Sequence, residues 1–265
     1  MPDELVHLEI SGGVGTITLD SPANRNALST RLVADLERQM AAAQADERVR
    51  VIVLTGAGPV FCSGADLKEQ RTANEAGQRT GAHAGQGIGG VAAILLSMVE
   101  SPKPVVGRIQ GAARAGGMGL VAACDIAIGV EGSTFGLSEV RIGVAPAIIS
   151  VVLIPRLGVA KARELFLTGA TFDAGEAVRV GLLNACAPQD ALDGKVREYV
   201  DALLLGAPQG LAASKELVRK VPAMPMAEAF PWASEVSARL FASEEAREGM
   251  SAFAERRPPR WAERP

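Results

Sequence analysis

Histidine is nearly absent from this chain, with two residues among 265, His7 and His83. Neither stands in a motif suited to a nucleophile–base–acid relay, so a Ser-His-Asp hydrolase is not expected. Cysteine is scarce as well. Cys62, Cys124 and Cys186 are odd in number and lack metal-ligand spacing, which argues against a disulfide framework or a zinc site and suits a reducing cytoplasm. Aromatic residues make up only 4%, too few for a base-stacking surface. A formal net charge of −3 offers no basic excess to hold nucleic acid or an anionic membrane. No apolar run reaches the roughly 20 residues a membrane helix needs; the longest lie near residues 91–99 and 145–155. The opening residues, with Asp3 and Glu4 before alternating Val6, Leu8 and Ile10, resemble neither a signal peptide nor a basic transit sequence.

Nucleotide motifs are missing too. No GxxxxGK[ST] occurs, so ATP chemistry is not expected. Gly85-Gln86-Gly87-Ile88-Gly89-Gly90 scans as a dinucleotide fingerprint, but polar and small residues precede it where a buried strand is required. The lysines sit in charged, solvated contexts, which leaves no candidate for a Schiff base.

What the chain has is an ordinary globular balance, 48% apolar, enough for one large domain or one domain with an appendage. Residues 6–10 and 16–19 alternate around Ser11-Gly12-Gly13 as an early hairpin. Ser29 reads as the N-cap of a helix with Leu32, Val33, Leu36 and Met40 on one face. Residues 51–54, Val-Ile-Val-Leu, read as a strand buried on both faces. Strand-plus-glycine-loop units recur at residues 51–58, 104–111 and 124–132, the last continuing to Phe135 and a helix near Ser138. Strand and helix alternate, so the class is α/β. Residues 68–90 are polar and glycine-rich, the texture of a mobile pocket wall with partial helix. Beyond about residue 200 the chain is expected to be helical, punctuated by Pro208, Pro222, Pro225 and Pro231.

Two of the glycine loops carry chemical meaning. Residues 104–109 form a strand that enters a glycine turn and then a short apolar helix beginning at Ala115-Gly116-Gly117. A helix start offers unpaired N–H groups and the positive end of the helix dipole to a developing negative charge. The same glycines equally serve tight helix-on-sheet packing. The second loop, Thr55 to Leu67, again runs from strand through glycines to a helix start. Two such loops offering one N–H each are what acyl chemistry uses to hold an oxyanion.

The segments SPANRNALS (21–29), FCSGADL (61–67), GAARAGGMGLVAACDIAI (111–128), FGLSEVRIGVAP (135–146) and the tail EEAREGMSAFAERRPP (244–259) together resemble the crotonase family, the enoyl-CoA hydratases and isomerases. The likeness covers nearly the whole chain, and the motifs occur in the family's order. It implies a crotonase-like spiral of ββα units over residues 1–200 and a C-terminal α-helical oligomerisation region over 201–265. It also implies an acyl-CoA thioester substrate, a homotrimer or dimer of trimers, and no cofactor beyond the CoA carried by the substrate. The closest subgroup resembles methylglutaconyl-CoA hydratases.

By the same resemblance Ala65 and Gly116 supply the oxyanion N–H groups and Glu139 is a catalytic glutamate. Read without the family, Glu139 is either a desolvated acid/base or a first-turn glutamate favoured by the helix dipole. CoA contacts are expected at Arg25, Ala27, Ala65, Asp66, Leu67, Lys68, Gly116 and Gly117, with Lys215 a weaker candidate. Asp66 also reads as a capping residue of its loop. The family's second glutamate is replaced here by Gly119. The chain therefore hydrates with one glutamate, isomerises with it, or only binds acyl-CoA. Arg114 either reaches a substrate carboxylate or faces solvent or a subunit contact.

Overall fold

The computed structural model describes residues 4–75 and 90–262. The chain opens with a hairpin of β1 (Val6–Ser11) and β2 (Val14–Leu19), in register from Val6 opposite Leu19 to Ser11 opposite Val14. Gly12 and Gly13 make the two-residue turn at φ of +56° and +82°, left-handed values that match the twist of the flanking strands. Helix α1 (Thr30–Ala45) follows. Ser29 caps it, its hydroxyl accepting from Leu32 N–H at 3.3 Å, and Leu32, Val33, Leu36 and Met40 are all buried, as the spacing predicts.

Three strand–strand units then repeat: β3 (Val51–Gly56) with β4 (Val60–Cys62), β5 (Val105–Ile109) with β6 (Ala112–Arg114), and β7 (Ile126–Val130) with β8 (Thr134–Gly136). Each unit gives its first strand to a six-stranded sheet ordered β1-β2-β3-β5-β7-β10. Its second strand goes to a four-stranded sheet ordered β4-β6-β8-β9. Within each sheet the repeated strands pair in parallel. Helices α2 (Leu67–Glu75) and α3 (Val91–Glu100) close the first unit, α4 (Gly116–Ala123) the second and α5 (Ala147–Thr168) the third. The chain then adds β9 (Thr171–Asp173), α6 (Ala174–Arg179) and β10 (Ala185–Ala187).

The short strands β4, β6 and β8 correct the sequence reading, which passed from each long strand through glycines directly to a helix. Three residues are too few to display a period of two. The helix expected near Ser138 is likewise a single 3₁₀ turn, Glu139–Ile142, and the long helix starts only at Ala147. A mobile pocket wall was expected at 68–90; residues 76–89, with His83 and most of the glycine-rich hexapeptide, lie outside the described residues.

All six residues of β3 are buried, because both sheet faces are covered. Ile52 and Leu54 join the main core with Leu32, Leu36 and Phe61. Val51 and Val53 instead meet Leu192, Val196, Val200 and Leu204 of α7 (Leu192–Leu204) on the other face. The tail continues as α8 (Pro208–Lys220), α9 (Met226–Phe241) and α10 (Glu244–Glu255). Pro208 starts α8 where its missing N–H costs nothing, and Pro225 precedes α9. Pro231 differs from expectation: it stands inside α9, near enough to the N-terminus that the helix continues with one backbone bond fewer.

Candidate active site

Parallel pairing of β4 with β6 brings their carboxyl ends side by side, and the loops that leave them touch. Gly64, at φ +87°, follows β4; a Cβ there would lie 2.7 Å from Ala115 Cβ and 2.9 Å from Arg114 O. Only glycine allows this approach. Ala115 follows β6 and is held at φ +47° and ψ −120°, a conformation L-residues rarely adopt. Its N–H donates to Gly136 O at 3.0 Å, and its carbonyl accepts from Met118 N–H at 2.9 Å. This strained, doubly anchored turn starts α4 at Gly116.

The N–H groups of Ala65 and Gly116 find no backbone acceptor among the described residues. Ala65 is exposed and Gly116 partly so. Two unfilled donors thus stand on abutting loops, one of them at a helix start. The glycines also serve packing: a Cβ on Gly117 would lie 2.5 Å from Cys62 O, and one on Gly116 would lie 2.6 Å from Leu28 Cδ1. Both readings of the glycine run therefore hold, at different residues.

Glu139 arrives from the neighbouring strand. Gly136, whose carbonyl anchors Ala115, ends β8, and Glu139 opens the 3₁₀ turn three residues later. Its Oε2 is buried and has no hydrogen-bond partner. Burial pushes its carboxyl above the usual 4.5, against which the bond to its own N–H works only weakly. Desolvation thus outweighs the backbone hydrogen bond, and the carboxyl is raised and not lowered as a first-turn glutamate would be. A proton is bound more tightly in the folded chain than in the unfolded one, so Glu139 subtracts stability as pH rises from about 4.5 towards the raised native value.

Position 119 is closed. A Cβ on Gly119 would lie 2.5 Å from Ile149 Cγ2 and 3.1 Å from Ile149 Cβ. Ile149, at 4% exposure on α5, fills the volume a side chain would need.

The residues expected at CoA divide by location. Arg25, Leu67 and Lys68 are exposed beside the loops, Ala27 is buried, and Gly117 is buried against Cys62. Asp66 caps α2, its Oδ1 accepting from Lys68 and Glu69 N–H and its Oδ2 from Asn24 Nδ2 at 2.7 Å. Burial pushes its carboxyl up, but these bonds outweigh it and hold the group below the usual range. Lys215 is turned inward: its Nζ binds Asp125 Oδ2 at 2.7 Å and Met98 O at 2.8 Å, which occupies it structurally. His7 pairs with Asp20 on the exposed hairpin, away from the loops. Arg114 folds back along β8 to Thr134, away from Gly116.

Sequence reasoning passed over Asn26. It is fully buried at φ +52°, its Oδ1 accepting from Ser21 N–H at 2.8 Å. Its Nδ2 donates to the carbonyls of Ala57, Val60 and Phe61 at 3.0, 2.9 and 3.2 Å. It staples the 21–28 segment to the loop between β3 and β4. Its only signal is an asparagine, tolerant of left-handed backbone, after a turn.

The fold is a spiral of ββα units with two unfilled backbone donors on touching loops and a half-buried carboxyl just beyond the next strand of the small sheet. Comparison with known proteins narrows the class. Residues 9–264 match the family model described as enoyl-CoA hydratase/isomerase. The chain is 33% identical to enoyl-CoA hydratase EchA19 of Mycobacterium tuberculosis over 99% of this chain and 97% of that protein. It is 32% identical to (E)-benzylidenesuccinyl-CoA hydratase of Thauera aromatica over 96% and 97%. Among solved structures, Pseudomonas aeruginosa AtuE superposes with a TM-score of 0.91 at 35% identity, covering 98% of this chain and all of that one. This chain belongs to the enoyl-CoA hydratase/isomerase family, the crotonases.

Four substitutions test this geometry. Asn26→Ala removes the partner of Ser21 N–H and a donor to the Ala57, Val60 and Phe61 carbonyls, of which Val60 O keeps Gln110 Nε2, and is expected to cost about 3 kcal/mol in denaturant unfolding. Gly119→Glu is expected to overpack against Ile149 by about 1–3 kcal/mol, and Ile149→Ala in the same chain to recover part of that loss. Glu139→Gln, which cannot ionise, is expected to melt above the wild type at pH 8 and level with it at pH 4. A scan showing no pH-dependent gap would refute the desolvation of Glu139.

Proposed function

We propose that this chain is an enoyl-CoA hydratase that adds water across a 2-enoyl-CoA thioester with one glutamate. The observation that supports it most is the pair of unfilled N–H groups at Ala65 and Gly116 on the same strand ends that lead to Glu139. The thioester carbonyl accepts from both N–H groups. Glu139, as carboxylate, takes a proton from water while the water oxygen bonds to the β-carbon. The displaced electron pair moves through the α-carbon to the carbonyl oxygen, and Glu139 then returns the proton to the α-carbon. Each preset donor is worth about 3 kcal/mol of transition-state stabilisation in such sites. The chemistry calls for no metal or redox cofactor, CoA being part of the substrate.

The closed position at Gly119 also favours a second reading, Δ3,Δ2-enoyl-CoA isomerisation, in which one carboxylate moves a proton between carbons and no water is held. CoA would lie along Arg25, Ala27, Asp66, Leu67 and Lys68. The methylglutaconyl-CoA class is our choice of branched substrate. Among the described residues no helix is long and apolar enough to cross a membrane. We place the protein in the cytoplasm as a homotrimer or dimer of trimers. The exposed Met226, Phe230 and Phe241 of α9 and Phe253 of α10 support association through the 201–265 region, and neither nucleic acid nor membrane is a proposed partner.

The deciding assay follows loss of enoyl-thioester absorbance with crotonyl-CoA and, separately, 3-methylglutaconyl-CoA. Turnover is expected with at least one, rising with pH through an apparent pKa above 4.5, and Glu139→Gln is expected to abolish it without abolishing CoA-ester binding. Undiminished hydration by Glu139→Gln would overturn the assignment. Binding without hydration would leave the isomerase, tested with a 3-enoyl-CoA, or a silent acyl-CoA binder.

A further inference from the structure

Arg114 is a partly buried cation with no counter-charge. Its Nη1 donates to Thr134 O and to Ala113 O, the latter at 3.1 Å, and its Nη2 donates to Thr134 Oγ1 at 2.7 Å. A guanidinium carries five N–H donors in a rigid plane. These bonds engage both Nη1 hydrogens and one of the two on Nη2. The Nε–H and the second Nη2–H remain, and they lie on one edge of the plane, the edge that grips a carboxylate through two parallel bonds.

Nothing in the described chain takes that edge. Burial alone lowers the Arg114 pKa, and no acidic side chain acts on it. The nearest in the ladder is Asp173, paired with Thr134 across β8 and β9 and therefore on the same face of the small sheet. Its Oδ1 instead accepts from Glu176 N–H at 2.8 Å and caps α6. Lys161 and Arg179 are both engaged by Glu176, at 2.9 and 2.6 Å. One free positive charge therefore faces outward, which suits a monoanion better than a phosphate dianion.

The fold holds the fork in position. Ala113, facing the opposite side of β6, is fully buried, which directs Arg114 to the outer face. A Cβ on Gly136 would lie 3.6 Å from Arg114 Cδ, so glycine there leaves the stem room. Thr134 stands two residues before Gly136, roughly 7 Å back along the strand from the turn that presents Gly116. The fork is thus drawn back along β8 from the turn at Gly116.

We propose that Arg114, preset by Thr134, is a receptor for one carboxylate from outside the chain, either a small organic acid or an Asp or Glu side chain of a second copy. A partly desolvated cation is ordinarily paired, and the pre-oriented fork reduces the cost of pairing.

The test uses full-length protein, Arg114→Lys, which keeps the charge but loses the fork, and Arg114→Gln, which loses both. The Nε–H resonance of Arg114 is assigned by its absence from the Arg114→Lys spectrum. Propionate is then titrated at constant ionic strength against chloride. A saturable downfield shift with propionate and none with chloride assigns the site to a small acid. A signal already downfield, unmoved by propionate, with Arg114→Lys and Arg114→Gln both sedimenting as smaller species at equal concentration, assigns the carboxylate to a second copy. An upfield signal that propionate leaves in place, with unchanged sedimentation in both variants, overturns the proposal. Crotonyl-CoA turnover within twofold of wild type serves as the control that each variant is folded.

Discussion

The site depends on one steric contact, between Gly64 and the turn at Ala115. The two residues belong to loops about 50 positions apart, yet a single added methyl at Gly64 would overlap both Ala115 Cβ and Arg114 O. Parallel pairing of β4 with β6 sets the strand ends side by side. The contact converts that adjacency into two abutting loops, each with an unfilled N–H group, at Ala65 and Gly116. Ala115 holds a costly backbone conformation, of order 1–3 kcal/mol, and two hydrogen bonds from its own peptide groups keep it there. Strain of this kind persists where the surroundings over-determine the backbone.

Much of this was legible from the chain. The Ser29 cap, the apolar stripe of α1, the doubly buried β3 and the Gly12-Gly13 turn each follow from local pattern, and the structure holds them where the pattern put them. The three-residue strands were not legible, because an element shorter than one side-chain alternation leaves no periodic trace. The small sheet, and with it the reason the glycine loops meet, was therefore visible only through the family resemblance. Asn26 escaped for a related reason. Its four partners come from residues 21, 57, 60 and 61, and no window around Asn26 reports bonds made 30 residues away.

Gly119 shows how the same limit affects the chemistry. In the sequence it registers only as a missing carboxylate. In the fold it is one side of a packing pair, with Ile149 Cγ2 of α5 only 2.5 Å from where a Cβ on Gly119 would stand. A vacated acidic position would leave space or water; here the space is filled by a branched apolar side chain. In the proposed hydration Glu139 is then the one carboxyl that would both take and return the proton. A group with that double duty works best when its pKa approaches the operating pH, and the desolvation of Glu139 moves it in that direction.

The distribution of unsatisfied groups separates the working corner from the rest of the fold. Asn26 has every polar atom bonded, and Asp125 is bonded by Val105 N–H and Lys215. Only three buried side-chain atoms among the described residues lack partners, on Arg50, Gln110 and Glu139. Of these only Glu139 can carry a proton to and from carbon. Leaving that oxygen buried and unpaired lowers the stability of the protein. An acyl thioester would satisfy the N–H groups through its carbonyl oxygen, and a water or hydroxyl at the β-carbon would satisfy the carboxyl. In the proposed reaction that folding cost would be recovered by the ligand and not by the chain, and it would speed the reaction only so far as the bonds strengthen in the transition state.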